Sequence, residues 1–332
     1  MLVVGGPVSD GFWVRATVVL VQAHWARLAG LRVAVAYRSD DDNYLDRRQT
    51  SRDGWTQYFE PIGGAEHAAP APPPPPLLSL DCRAAADLFG RWGTYQWSYR
   101  HLARQRAWRA ALVAGLPVRP RPRFAAAAAA VFHGNNSLGV PLRGPVLGVH
   151  MRGTDREPCG SQPAEFAPLV RAYLRAWPEA HVFVATDDAA LLARLRARLG
   201  DGAARRLAWL DTLRGESNHL DPDSDASTLN PGVRATKAAG WDGGRARAAR
   251  LGREILVDTL VLSRCAFLLA SLSAVPEYAA ALSPGARLQR ESFFVDVADY
   301  PAPEWGRAEA ATIRANRMQR GNNVPNMARF DP

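Results

Sequence analysis

His150-Met151-Arg152-Gly153-Thr154-Asp155 brings an imidazole, a guanidinium, a hydroxyl and a carboxylate together directly after the apolar run Val146-Leu147-Gly148-Val149. A run this short reads as a buried parallel strand, and the sudden change to polar residues marks a carboxyl end opening into a crevice. Ligands of open α/β sheets bind at such ends. An arginine there can hold phosphate or carboxylate through two parallel hydrogen bonds. The plainer alternative is a strand entering a polar turn that carries a surface arginine.

Asp258 is the second residue with chemistry to offer. It shares a helical stripe with Leu251, Ile255 and Leu262, at spacings of three and four. A carboxylate on an apolar stripe is costly to desolvate unless something pairs with it. Arg264 is one candidate partner. The other is a ligand that presents two donors to one carboxylate, as the guanine edge does. Ser271 and Ser273 follow the next apolar run, at the start of a short helix. Hydroxyls and unpaired backbone N–H groups at a helix start suit phosphate. Asp187-Asp188 closes a further strand; it reads either as a helix cap or as a metal-binding pair, with capping the commoner use. No Asp-x-Asp sequence of the kind that holds Mn²⁺ in many sugar-nucleotide enzymes is present.

These residues need a scaffold, and the carboxyl half supplies one in regular alternation. The pattern predicts strands at 146–151, 181–186, 206–210, 266–270 and 293–297. Between them it places a helix on Phe166, Leu169, Val170, Tyr173, Leu174 and Trp177, and another with Leu191, Leu192, Leu195 and Leu199 inward. Helices at 252–264 and 275–282 follow, with a polar loop over 212–244 and a basic, weakly helical tail after Trp305. The amino half opens with a strand at 1–4, a glycine-bearing turn and a helix striped by Val14, Val18, Val21, Trp25 and Leu28. A strand at 31–36 completes a βαβ unit. Gly5, Gly6 and Gly11 line that first turn without forming the GxGxxG fingerprint. An acidic loop at 40–46, an aromatic stretch at 54–62 and a polyproline insert at 68–76 come next. Residues 84–113 read as helical, and the Arg-Pro alternation at 119–123 cannot continue that helix. The expected fold is α/β, with parallel sheets wound on both faces and two domains, 1–143 and 144–332.

Composition narrows the function. The 332 residues are 47% hydrophobic and 22% charged, as in a globular chain long enough for two cores. Lys and Arg number 41 against 32 acidic residues, a net charge of +9 that is nearly all arginine. The basic residues do not gather into an aromatic-interleaved patch, which argues against a nucleic-acid binder. Cys82, Cys159 and Cys265 form no CxxC pair, so neither a zinc site nor a disulfide framework is expected. No apolar run approaches membrane-spanning length, and Met1 is not followed by a signal-peptide pattern.

VLGVHMRGTDR, at 146–156, resembles the His-x-Arg-x-Thr-Asp motif of the α1,6-fucosyltransferase family and its protein-O-fucosyltransferase relatives. VFVATDDAALLARL and EILVDTLVLSRCAFLLASLSAVPEYAAAL are similar to the strand and the donor-binding helix-strand-helix of that superfamily. GWTQYFEPI and SDGFW resemble segments of its amino half. The resemblance runs over most of the chain and is strongest from 145 to 285.

It implies two Rossmann-like domains of the GT-B type and inverting transfer of fucose from GDP-fucose to a glycan or protein hydroxyl, with no cofactor and no metal. By motif position, Arg152 would hold the donor diphosphate and His150 and Asp258 would sit at the nucleotide. Ser271 and Ser273 would meet the phosphates, while Gly5, Gly6 and Gly11 would form the glycine loop of an acceptor-side amino domain. The chain departs from the α1,6-transferases just after the motif. Arg156 stands at their Lys position and Gly160 at their Glu position, leaving Glu157 and Glu165 as alternatives for the general base. The departure also admits a catalytically silent relative that binds a sugar nucleotide or glycan. The expected partners are therefore GDP-fucose and a glycan or glycoprotein acceptor. The chain as written would be soluble, or would work in the Golgi or ER lumen if an anchor preceded it.

Overall fold

The computed structural model describes residues 2–4, 12–30, 33–35, 54–62, 102–116, 118–152, 163–212, 240–271, 273–295 and 301–319. The chain divides into two compact units. One comprises Met1–Ala126 with Ala239–Leu256, the other Ala127–Ala238 with Val257–Pro332. The division falls earlier than residue 143 and returns a later helical segment to the first unit.

In the first unit, β1 (Leu2–Val4), α1 (Phe12–Leu28) and β2 (Val33–Val35) form the expected βαβ motif, with the two strands parallel. The expected stripe on α1 holds at Val21, which is buried, and fails at its carboxyl end. Trp25 and Leu28 are exposed, while Trp13, Ala16, Leu20 and Ala23 are buried. Valines and alanines occupy every side of this helix, so apolar periodicity could not choose a face. Around Trp13 an aromatic cluster forms with Phe12, with Trp55 and Tyr58 of α2 (Gly54–Tyr58), and with Phe59. The Arg-Pro alternation clamps this cluster from outside. Pro120 bridges Phe59, the Arg121 side chain donates to the Thr56 carbonyl, and Arg123 donates to the Gln57 carbonyl at 2.8 Å. Helix α3 (Leu102–Gly115) precedes the alternation, and α4 (Pro122–Phe132) starts on its second proline, where the missing N–H costs nothing. The polyproline insert, the acidic loop and residues 84–101 lie outside the described residues.

The second unit carries a five-stranded, all-parallel sheet in the order β5-β4-β3-β6-β7. Its strands are β3 (Leu147–Met151), β4 (Val182–Thr186), β5 (Leu207–Ala208), β6 (Phe267–Ala270) and β7 (Ser292–Phe294). Winding starts at β3, runs through α5 (Pro163–Ala176) to β4, then through α6 (Ala189–Leu199) and the single turn α7 (Asp201–Ala204) to β5. It resumes on the other edge of β3 through α8 (Gly240–Arg264), β6 and α9 (Ala274–Leu282), and ends in α10 (Arg307–Gln319). Helix α8 begins at Gly240, inside the stretch expected to be loop.

Both leucine- and tyrosine-bearing stripes behave as expected. Phe166, Leu169, Val170, Tyr173 and Leu174 of α5, with Leu191, Leu192, Leu195 and Leu199 of α6, pack against Leu147, Val149, Met151, Val182 and Val184. Burying such side chains contributes roughly 1.5–3 kcal/mol each. The other side of β3 is built differently. A β-carbon on Gly148 would lie 3.0 Å from Leu262 Cδ2 and 3.2 Å from Cys265 Sγ, so the end of α8 approaches bare backbone. We predict that Gly148→Val destabilises the protein by about 1–3 kcal/mol through overpacking. An unchanged urea midpoint for this variant would refute the close approach.

Candidate functional site

The order β5-β4-β3-β6-β7 places the reversal of winding between β3 and β6. In an open parallel sheet, the crevice at such a reversal, outside the carboxyl strand ends, is where ligands bind. The candidate residues from the first, second and third motifs can be placed against this seam.

His150 is the penultimate residue of β3 and faces the same side of the sheet as Gly148. Its register partners on the neighbouring strands are Ala185 and Ala270, which leave room for the ring. The imidazole is buried, and Nδ1 finds no hydrogen-bond partner among the described residues. Burial, and then the charge of Arg152, lower its pKa to about 3, so it is neutral at physiological pH. A neutral imidazole offers one donor and one acceptor. The sequence placed His150 in the motif but carried no sign of this burial.

Arg152 follows the end of β3, and two serines hold it across the seam. Its guanidinium Nη1 donates to Ser273 Oγ at 3.1 Å, and its backbone N–H donates to Ser271 Oγ at 3.4 Å. The Ser271 N–H in turn donates to the His150 carbonyl at 3.2 Å, extending the β3–β6 ladder by one step. Both serines are buried. Ser273 is the residue before α9, in extended conformation, and its hydroxyl makes no capping bond to that helix. The serine hydroxyl that a helix start would ordinarily use is thus engaged by the arginine. His150, Arg152, Ser271 and Ser273 form one cluster.

Other candidate residues lie outside this cluster. Asp258 lies on α8, but the buried face of that helix runs through Leu256, Thr259, Leu260 and Ser263. Leu251, Ile255 and Asp258 lie on a half-buried flank. Leu262, the last member of the stripe inferred from sequence, is fully buried, and the Asp258 Oδ1 atom is itself enclosed. Asp188 is a cap. It is fully buried, and its Oδ1 accepts from the N–H groups of Ala190 at 2.7 Å and Leu191 at 3.1 Å. Among the described residues no group of three His, Cys, Asp or Glu side chains could hold a metal ion.

Glu165, one of the two base candidates, sits in the first turn of α5 in a bidentate pair with Arg317 of α10. The Nε–Oε1 separation is 2.8 Å and the Nη2–Oε2 separation 2.5 Å. The pair is mostly shielded from solvent. Sequence reasoning missed Arg317, though a signal existed: Ala310, Ile313 and Arg317 continue one stripe at spacings of three and four, and the first two are buried. Glu157, Gly5, Gly6 and Gly11 lie outside the described residues, as do Gly153 to Arg156. Among the described residues, no helix is long and apolar enough to cross a membrane.

No protein-family model matches the sequence, and no curated protein matches it. Several solved structures do. NodZ α-1,6-fucosyltransferase co-crystallized with GDP is 15% identical, with a TM-score of 0.43 over 85% of this chain and 93% of that one. The same enzyme soaked with GDP-fucose is 16% identical, with a TM-score of 0.41 over 84% of this chain and 90% of that one. Fucosyltransferase NodZ from Bradyrhizobium is 14% identical, with a TM-score of 0.44 over 85% of this chain and 93% of that one. The likeness is weak in superposition and assigns no role to any residue.

The pKa of His150 has a thermodynamic consequence. A histidine whose folded-state pKa falls from 6.5 to about 3 withholds a proton that the unfolded chain accepts. Stability is therefore lost as pH falls below 6.5, at about 1.4 kcal/mol per pH unit, until the folded ring also protonates. We predict that between pH 6.5 and pH 5 the wild type loses about 2 kcal/mol more than His150→Gln. Equal losses in urea unfolding would mean that the ring titrates normally.

Proposed function

We propose that the protein is an inverting glycosyltransferase that moves fucose from GDP-fucose to a hydroxyl of a glycan or protein, without a metal. The observation carrying this reading is the Arg152 guanidinium, held by Ser273 at the winding reversal between β3 and β6. It supports a site for an anion, and the motif around it is what suggests a nucleoside diphosphate sugar.

In this reading the diphosphate lies against Arg152, Ser271 and Ser273, where fixed donors meet the charge that grows as the leaving group departs. Asp258 accepts the N1–H and N2–H of guanine, His150 lies beside the nucleotide, and Gly5, Gly6 and Gly11 form the loop of the amino-terminal unit. The acceptor oxygen attacks the anomeric carbon from the face opposite the diphosphate, and GDP leaves with the bonding electrons. A general base takes the hydroxyl proton. Glu157 and Glu165 are the base candidates, and Glu165 can serve only by giving up Arg317.

That ion pair favours a second reading. With Glu165 held and Gly160 in place of an acid, the chain would bind the sugar nucleotide or a glycan without turning it over.

GDP-fucose turnover by the wild type and Arg152→Ala distinguishes these possibilities. The variant should lose on the order of 10²–10³ in kcat, as removal of a fixed oxyanion donor does. Turnover that survives the substitution intact would overturn the role of Arg152. Nucleotide binding without transfer to any of a panel of acceptors would favour the silent binder. GDP should also bind more tightly than ADP, with the preference lost in Asp258→Asn; equal affinities in the wild type would end the guanine assignment.

A further inference from the structure

The loop between α4 and β3 contains two adjacent asparagines with opposite roles. Asn136 is its internal brace. The side-chain amide donates to the carbonyls of Val131 at 2.7 Å and Val140 at 3.0 Å, and Oδ1 accepts the Leu138 N–H at 2.9 Å. Asn135 is exposed, and its backbone N–H donates to the Ala130 carbonyl at 2.9 Å. Its side-chain amide makes no hydrogen bond among the described residues.

Asn135-Asn136-Ser137 has the Asn-x-Ser spacing, with no proline at the middle position or directly after. Of the nine asparagines in the chain, Asn135 alone has Ser or Thr two positions on. We propose that Asn135 is an acceptor site for N-linked oligosaccharide. The donor class is a polyprenyl-diphosphate-linked oligosaccharide. Asn135 Nδ2 forms a bond to the anomeric carbon and the bond from that carbon to the diphosphate oxygen breaks. The lipid diphosphate departs with the electron pair, and one amide proton passes to a base of the transferring enzyme. No oxidant or reductant is involved.

Two features of the fold agree with this. A sugar on Asn135 projects from the exposed side of the turn and leaves the Asn136 brace untouched. The hydroxyl that the acceptor sequence requires is engaged only after folding. Ser137 Oγ accepts the Trp209 N–H at 3.0 Å, and the Ser137 N–H donates to the Trp209 carbonyl at 2.9 Å. Trp209 lies 72 residues further along. A growing chain therefore presents the sequence with a free hydroxyl before its partner has been made.

The test is mass spectrometry of the peptide carrying Asn135, from protein isolated out of the cells that make it and from variants re-expressed in those cells. An oligosaccharide on Asn135 of the wild type, absent from Asn135→Gln and Ser137→Ala and kept in Ser137→Thr, is the expected result. Asn135→Gln alters an exposed side chain and Ser137→Thr keeps the hydroxyl, so neither should disturb folding. An unmodified Asn135 in the wild type, or an oligosaccharide that persists in Asn135→Gln, would overturn the proposal.

Discussion

The carboxyl-terminal unit depends on β3 having a partner on each edge. Winding proceeds outward through β4 to β5, and the chain must then come back to lay β6 along the opposite edge of the strand it started from. Helix α8 makes the return, and its end lies against Gly148, where no side chain stands in the way. That close approach lets β3 and β6 sit side by side with their carboxyl ends level. Arg152 and Ser273 then come within hydrogen-bonding distance although they are 121 residues apart in sequence. The packing constraint on one side of the strand and the polar cluster at its end are two results of the same topology.

Within that cluster the charged and polar groups are treated differently. The arginine carries its charge at the strand end and is oriented by a serine hydroxyl. The histidine one step inside the strand is buried between alanines and held neutral. A pair of adjacent cations would repel one another and weaken both the fold and the orientation of the guanidinium. With the ring uncharged, the positive field at the strand end comes from Arg152.

How much of this the sequence disclosed depended on contrast. Helix α5 was legible because Phe166, Val170 and Tyr173 alternate with Arg171 and Arg175, and its inward face emerged as expected. Helix α1 was not, because its apolar residues surround the helix and Trp25 and Leu28 fell on the wet side. On α8 the expected stripe held at Leu262, which is fully buried, while Leu251 and Ile255 are only partly covered. The Arg152–Ser273 contact was foreseen only as two halves of an anion site, since nothing local tells a serine that its partner lies across a sheet. The Glu165–Arg317 pair spans 152 positions. Each residue looked ordinary alone: a first-turn acid and a basic tail.

The neutral histidine also bears on how the strand end responds to pH. Compartments along the secretory route differ in acidity by about the range in which an ordinary imidazole changes charge. Neither His150 nor a guanidinium changes charge over that range. The charge that these two side chains place at the strand end is therefore the same at neutral as at mildly acid pH. Acidification would act on the stability of the fold before it altered the charge at this strand end.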